Sequence, residues 1–128
     1  MEARAISRYI RQSPRKMRLV VDQIRGCDVG DAYALLQFSK KRAAVAVDKT
    51  LRSAVANARV KAEDAGDILD VDDLYVKEAY VNEGVRLKRW RPAAMGRATP
   101  RIRPTSHVTV VVDRREDRAP RSLPAEEV

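Results

Sequence analysis

Two stretches of the chain read as β-strands, residues 74–81 and 107–112, and the segment between them is too cationic and too broken by proline to pack inward. That segment, about residues 82–106, contains Pro92, Pro100 and Pro104 together with Gly84 and Gly96. Its apolar residues, Val85, Leu87, Trp90, Met95 and Ile102, stand isolated among arginines. Because strands flank the segment on both sides, its two ends must return to one place. The economical solution is a long β-hairpin projecting from a sheet, with its tip near residues 92–96. At about 3.3 Å per residue, ten residues each way reach roughly 30 Å. Such a ribbon is only marginally stable in water by itself, so its shape is expected to depend on what its cations meet.

The charge pattern says what that is. Lys and Arg outnumber Asp and Glu by 26 to 18, a formal net charge of +8. Residues 1–62 carry 14 basic and 5 acidic side chains, whereas residues 63–84 carry 8 acidic ones against Lys77 alone. Residues 85–104 then hold 7 basic side chains and no acid. A positive field of this kind attracts polyanions, nucleic acid before an anionic membrane. The segregation assigns the arm to phosphate and the acidic stretch to water. Arginine suits the arm because its planar guanidinium grips phosphate through two bonds and also stacks on bases. Arg86, Lys88, Arg89, Arg91, Arg97, Arg101 and Arg103 are therefore candidate nucleic-acid-binding residues. Trp90 joins them, either stacked on an unpaired base or packed on the opposite strand.

The rest of the chain supplies a body. Residues 2–11 alternate loosely and read as a strand, with Arg4, Ile6, Arg8 and Ile10 on one side. Ser13-Pro14 is a helix start. Met17, Val20, Val21 and Ile24 follow at helical spacing, and Gly26 supplies the stop. A second, short helix is expected to be capped by Asp28 or Gly30, with Ala32, Leu35, Leu36 and Phe38 as its inward residues. Ser39 is expected to cap a third helix over about residues 40–62, whose stripe is Ala43, Ala44, Val47, Leu51, Ala54, Val55 and Ala58. Residues 64–73 form an acidic turn. In the last strand Val108, Val110 and Val112 share one face, with Thr109 and Val111 on the other. A single domain is expected over residues 1–113, followed by a flexible tail over 114–128 with almost nothing to bury.

Arg15, Lys16 and Arg18 lie at a helix N-terminus, where backbone N–H groups also favour anions, and are candidate phosphate contacts. Lys40, Lys41 and Arg42 gain from the same geometry. Asn57 can serve either RNA or the neighbouring backbone. His107, the only histidine, lacks a second His or a Cys to make a metal site or general base, so it is read as structural or RNA-contacting. Cys27 is the only cysteine and cannot form an internal disulfide, which fits a reducing cytosol. Asp72 and Asp73 are adjacent and point apart, so a solvated rim is expected in place of a metal site. No Gly-rich phosphate loop and no nucleophile–base pair is evident, so no catalytic residue, cofactor or metal is expected. No apolar run approaches the ~20 residues of a membrane span, and the N-terminus lacks an apolar signal region. These features argue for a cytoplasmic chain without a membrane partner, and no homo-oligomer is expected.

Several stretches, in this order, resemble bacterial ribosomal protein L22 (the uL22 family) of the large subunit. They are Ser13-Pro-Arg-Lys-Met-Arg-Leu-Val, Ile24-Arg-Gly, Leu51-Arg-Ser-Ala-Val-Ala-Asn-Ala, Tyr75-Val-Lys-Glu-Ala-Tyr-Val, Leu87-Lys-Arg, Gly96-Arg-Ala and Thr105-Ser-His-Val-Thr-Val-Val-Val. Together they cover roughly residues 5–113. The resemblance implies an α+β fold, three helices packed on a small three-stranded antiparallel sheet with a long protruding β-hairpin. It also implies a structural, non-enzymatic constituent of the large ribosomal subunit that binds 23S rRNA and aids early assembly. The hairpin would line the polypeptide exit tunnel, with Leu87, Lys88, Arg89, Gly96 and Arg97 on the part that reaches it. The implied partners are 23S rRNA, neighbouring large-subunit proteins and the nascent chain. The tip departs from the family pattern, with Ala93 and Met95 where cations are usual. Pro104 stands where a basic residue is common, so the returning strand is expected to be kinked or unpaired there.

Two other functions share part of this pattern. A DNA-bending protein with a basic β-arm usually has a dimeric body, and no dimer seam is evident here. A metal-dependent nuclease would have to use the acidic stretch.

Overall fold

The computed structural model describes residues 2–115, which form an α+β body with a projecting two-stranded arm. In chain order the elements are β1 (Glu2–Ile10), α1 (Pro14–Ile24), α2 (Val29–Phe38), α3 (Ala43–Asp64), β2 (Leu74–Pro92) and β3 (Ala98–Arg114). Short 3-10 turns precede β2 and separate β2 from β3. The sheet is antiparallel throughout, in the order β1-β3-β2. The tail expected after residue 113 lies mostly outside the described residues. Its first two members are anchored, Arg114 to Asp67 and Arg115 to Asp28.

Alternation along the strands turns one face of the sheet toward the helices. Ala3, Val112 and Val76 form one row of that face, and Ala5, Val110 and Ala79 the next. Against them pack the predicted stripe of α1 (Met17, Val20, Val21 and Ile24) and all seven stripe residues of α3. Each fully buried Val, Leu, Ile or Met contributes about 1.5–3 kcal/mol. The small side chains of α3 let it lie close to β1. Two polar contacts fix that approach: Asn57 Nδ2 donates to the Arg4 carbonyl at 2.9 Å, and the Ser7 and Thr50 hydroxyls meet at 2.6 Å. Asn57 is thus bonded to the backbone.

The helix termini differ in detail from expectation. Ser13 precedes α1 in extended conformation, but its hydroxyl makes no capping bond. Gly26 does take the left-handed conformation (φ +79°), and its N–H donates to the Val76 carbonyl at 2.9 Å, tying the end of α1 to β2. In α2 only Val29, Ala32 and Leu36 are buried, whereas Leu35 and Phe38 are 44% and 86% exposed. Their expected inward placement fails because the body meets α2 along a narrow stripe, and both lie outside it. α3 starts at Ala43, not near residue 40. The Ser39 hydroxyl accepts from the Lys41 N–H, which leaves residues 39–41 outside the helix. Lys40 and Lys41 therefore lie in the connector before the helix.

β2 and β3 run far beyond the strands expected from hydropathy, because the arm continues them without a break. The sheet changes character at its neck. Ser7 pairs with Val108 and Ile10 with Ser106, so Arg8 and Tyr9 bulge opposite His107. On the other side Glu83 pairs with Ser106 and Arg86 with Pro104, so Gly84 and Val85 bulge opposite Thr105. β3 is regular through this region and both neighbours bend around it. Pro104 is neither unpaired nor at a break in its own strand, since the irregularity falls on the partner strand.

Candidate nucleic-acid interface

Three side chains build the neck from which the arm projects. Tyr9 adopts φ 57°, a conformation uncommon for a non-glycine residue. It is held there by its N–H donating to His107 Nδ1 at 3.0 Å and by an edge-to-face contact of the two rings at 5.0 Å. The Thr105 hydroxyl donates to the Val85 carbonyl at 2.6 Å, satisfying a backbone group that the bulge would leave free. Gly84 lies against both partners. A Cβ there would come within 2.5 Å of Thr105 Oγ1 and 3.2 Å of the His107 ring. His107 is thus a packing and hydrogen-bonding residue of the neck.

Beyond the neck, seven rows of residues pair, from Arg86↔Pro104 to Pro92↔Ala98. This gives a ribbon of about 23 Å at 3.3 Å per residue. It closes through a turn at 93–97, where Met95 and Gly96 both have positive φ and the Ala93 N–H donates to the Arg97 carbonyl at 2.7 Å. Side chains alternate along a ribbon, and the pairing therefore gives the arm two unlike faces. One carries Leu87↔Arg103, Arg89↔Arg101 and Arg91↔Thr99. The other carries Arg86↔Pro104, Lys88↔Ile102 and Trp90↔Pro100. On the second face Trp90 is 63% exposed, with the Lys88 ammonium 5.3 Å from the centre of its ring. Arg86 is ion-paired with Glu83 at 3.4 Å. Among the described residues no carboxylate pairs with any arginine of the first face. Like charges directly opposite one another across two strands repel, so this face carries positive charge that no described carboxylate balances.

The structure brings only some of the predicted cations together. Lys16 of α1, Lys41 of the α2–α3 connector, and Arg89 and Arg103 of the arm line one cleft of about 960 Å³ at the root of the hairpin. Arg11 and Arg42 line it too. Arg11 was missed in the sequence because it was read as the last residue of the first strand, whereas it lies in the connector between β1 and α1. Arg15 and Lys40 are exposed and do not line the cleft; Trp90, Arg91, Arg97 and Arg101 lie farther out on the arm. Arg18 has a different task, since its Nη2 donates to the Val81 carbonyl at 3.1 Å and fastens α1 to β2. Arg25 does the same at the Ala79 carbonyl through Nε and Nη2, at 3.0 and 2.7 Å.

The acidic stretch lies away from this surface. Asp67 accepts from Arg114 at 2.7 Å and from the Ile68 N–H at 2.8 Å. These bonds, the Arg114 side chain first, hold its carboxyl below its ordinary value. Lys77 pairs with Glu2, which holds its ammonium above its ordinary value. Among the described residues no three His, Cys, Asp or Glu side chains are grouped to hold a metal, and no helix is long and apolar enough to cross a membrane.

Comparison with known proteins identifies the family. The family model described as ribosomal protein L22p/L17e matches residues 5–113. The chain belongs to the ribosomal protein L22 family. Its relatives include proteins named large ribosomal subunit protein uL22 from several bacteria. That of Bifidobacterium longum (strain DJO10A) is 53% identical over 116 residues, covering 91% of this chain and 98% of the relative. That of Clostridium novyi (strain NT) is 51% identical over 115 residues, covering 90% and 99%. That of Magnetococcus marinus is 56% identical over 111 residues, covering 87% and 94%. The chain is accordingly a ribosomal protein and not an enzyme, and its three helices, three-stranded sheet and long hairpin are those expected from the resemblance.

Proposed function

We propose that this ribosomal protein is a structural component of the large subunit in the cytoplasm. It binds 23S rRNA through the arginine face of its arm and the cleft at the arm's root, and it contributes to early subunit assembly. The observation that carries this reading is the Arg89↔Arg101 row, flanked by Arg91 and Arg103, with no carboxylate paired to any of the four among the described residues. Phosphates of folded RNA supply the missing charge, and the arm then acquires a fixed shape. Arg86, Lys88 and Trp90 on the second face, and Arg97 beside the turn, extend the contact toward the tip. Gly96 and Arg97, at the tip, belong to the part that reaches the wall of the exit tunnel, where the nascent chain passes, whereas Leu87, Lys88 and Arg89, expected to reach it too, lie nearer the root. Neighbouring large-subunit proteins are the other partners. The uncharged tip at Ala93–Met95 suits a surface that contacts something other than phosphate.

The test is the salt dependence of binding to a 23S rRNA fragment. Each neutralised phosphate contributes about 0.7–0.9 to the slope of log affinity against log salt. Replacing Arg86, Lys88, Arg89 and Arg91 with alanine is expected to flatten that slope by roughly 3 while the body stays folded. An unchanged slope removes the arm as the phosphate-binding element.

A further inference from the structure

The cleft at the root of the arm has two kinds of wall. Its rim carries six cations, Arg11, Lys16, Lys41, Arg42, Arg89 and Arg103, and among the described residues no acid lines it. None of the six is ion-paired with a carboxylate among the described residues. Its remaining surface is largely apolar: Leu19, 54% exposed on α1, Ala43 at the start of α3, and the half-buried Leu87 and Pro104 of the arm. Leu87 stands directly opposite Arg103, so the arm presents an aliphatic side chain and a guanidinium plane side by side.

Cations alone would serve the backbone of a duplex. A duplex, however, has nothing to place against the leucines. An A-form helix offers phosphates, 2′-hydroxyls and the edges of stacked bases, whereas a base face becomes available only where a nucleotide is unpaired and turned out. A volume of about 960 Å³ is ample for a nucleotide, falling at the upper end of the roughly 300–1,000 Å³ of small-ligand sites. The geometry points to a single extrahelical nucleotide of the rRNA as the occupant of this cleft. Its base lies on Leu19 and Leu87 beside the Arg103 guanidinium, and its flanking phosphates lie on the cationic rim. This inference rests on the RNA-binding reading above and adds what that reading leaves open, the conformation of the bound RNA.

The experiment uses the full chain and two RNA hairpins that differ only in one extrahelical 2-aminopurine, present in the first and absent in the second. The protein is expected to bind the bulged hairpin about tenfold more tightly than the paired one, the effect of one accommodated base, with a change in 2-aminopurine fluorescence on binding. The double variant Leu19→Ser, Leu87→Ser keeps every cation and alters no residue of the buried core. It is expected to bring the two affinities together by weakening the bulged hairpin's binding, with the salt slope unmoved because every cation remains. Equal binding of both hairpins by the unaltered protein, or a preference that survives the double variant, overturns the inference and leaves the RNA-binding reading intact. Failure to bind either hairpin overturns both.

Discussion

Arg89 and Arg101 stand directly opposite each other across the two strands of the arm. In the free protein this arrangement opposes pairing, because like charges at facing positions destabilise a ladder where opposite charges stabilise it by about 0.2–1 kcal/mol. Arg101→Glu is therefore expected to firm the arm in isolation, seen as slower amide hydrogen exchange across rows 86–92 and 98–104. The same substitution is expected to weaken binding to 23S rRNA by more than about tenfold at low salt, since a phosphate contact is lost and a repulsion added. A variant that firms the arm and binds RNA as well as before would show that this row does not face phosphate.

Gly84 occupies a position that only a residue without a Cβ fits. The obstructing Thr105 oxygen, 2.5 Å from where a Cβ would stand, cannot swing away without abandoning the Val85 carbonyl. Gly84→Ala is expected to cost about 1–3 kcal/mol, the usual range for overpacking, and to lower the Tm accordingly. In the double variant with Thr105→Ala part of that loss should return, because the nearest obstructing atom is gone. Additive effects of the two substitutions would mean that the strain at the neck lies elsewhere.

These two sites mark where the sequence stops being legible. The stripes of α1 and α3 were readable because an apolar residue every three or four positions has one physical meaning. The arm was readable because its arginines and prolines could not be buried while strands bounded it on both sides. The bulges at residues 8–9 and 84–85 were not readable, since they depend on register with β3, up to 98 positions away. The start of α3 was misread because Ser39 has the chemistry of a cap but uses its hydroxyl on a local turn. Leu35 and Phe38 are apolar at plausible helical spacing, and only the narrow contact of α2 with the body reveals that they face out. The cleft is assembled from residues 11–19, 41–43 and 87–104, so most of its cations were visible singly and their convergence was not.

The acidic turn is latched to the end of β3 by Asp67 and Arg114, and this latch carries a pH signature. The folded carboxyl titrates below its unfolded value of about 3.9, held down chiefly by the Arg114 hydrogen bond. Its contribution to stability is therefore complete above the unfolded value and disappears as pH falls through the folded one. The Tm difference between the protein and Asp67→Asn should be constant near neutrality and shrink toward zero in that acidic window. Added salt should reduce it at neutral pH, because the Asp67 carboxylate is open to solvent. A difference that persists unchanged into acid would mean that the carboxylate charge contributes nothing to the latch.

Not every arginine of this basic protein serves RNA, and Arg18 and Arg25 provide the contrast. Arg18 of α1 and Arg25 just beyond its end both donate to carbonyls of β2, an edge strand of the sheet. They satisfy backbone acceptors that would otherwise invite pairing with another chain. Alanine at either position is expected to lower stability by about 1 kcal/mol, the net worth of a typical hydrogen bond. Arg25→Lys should recover only part of this, since a single ammonium cannot place two donors of a fixed fork on one carbonyl. The salt slope for 23S rRNA binding should barely move in either alanine variant, in contrast to Arg89→Ala, which should flatten it by roughly 0.7–0.9. Unfolding by denaturant and RNA titrations over a range of salt would separate the two classes. If Arg18→Ala flattened the slope as far as Arg89→Ala, the outer face of α1 would have to be counted as part of the phosphate-binding surface.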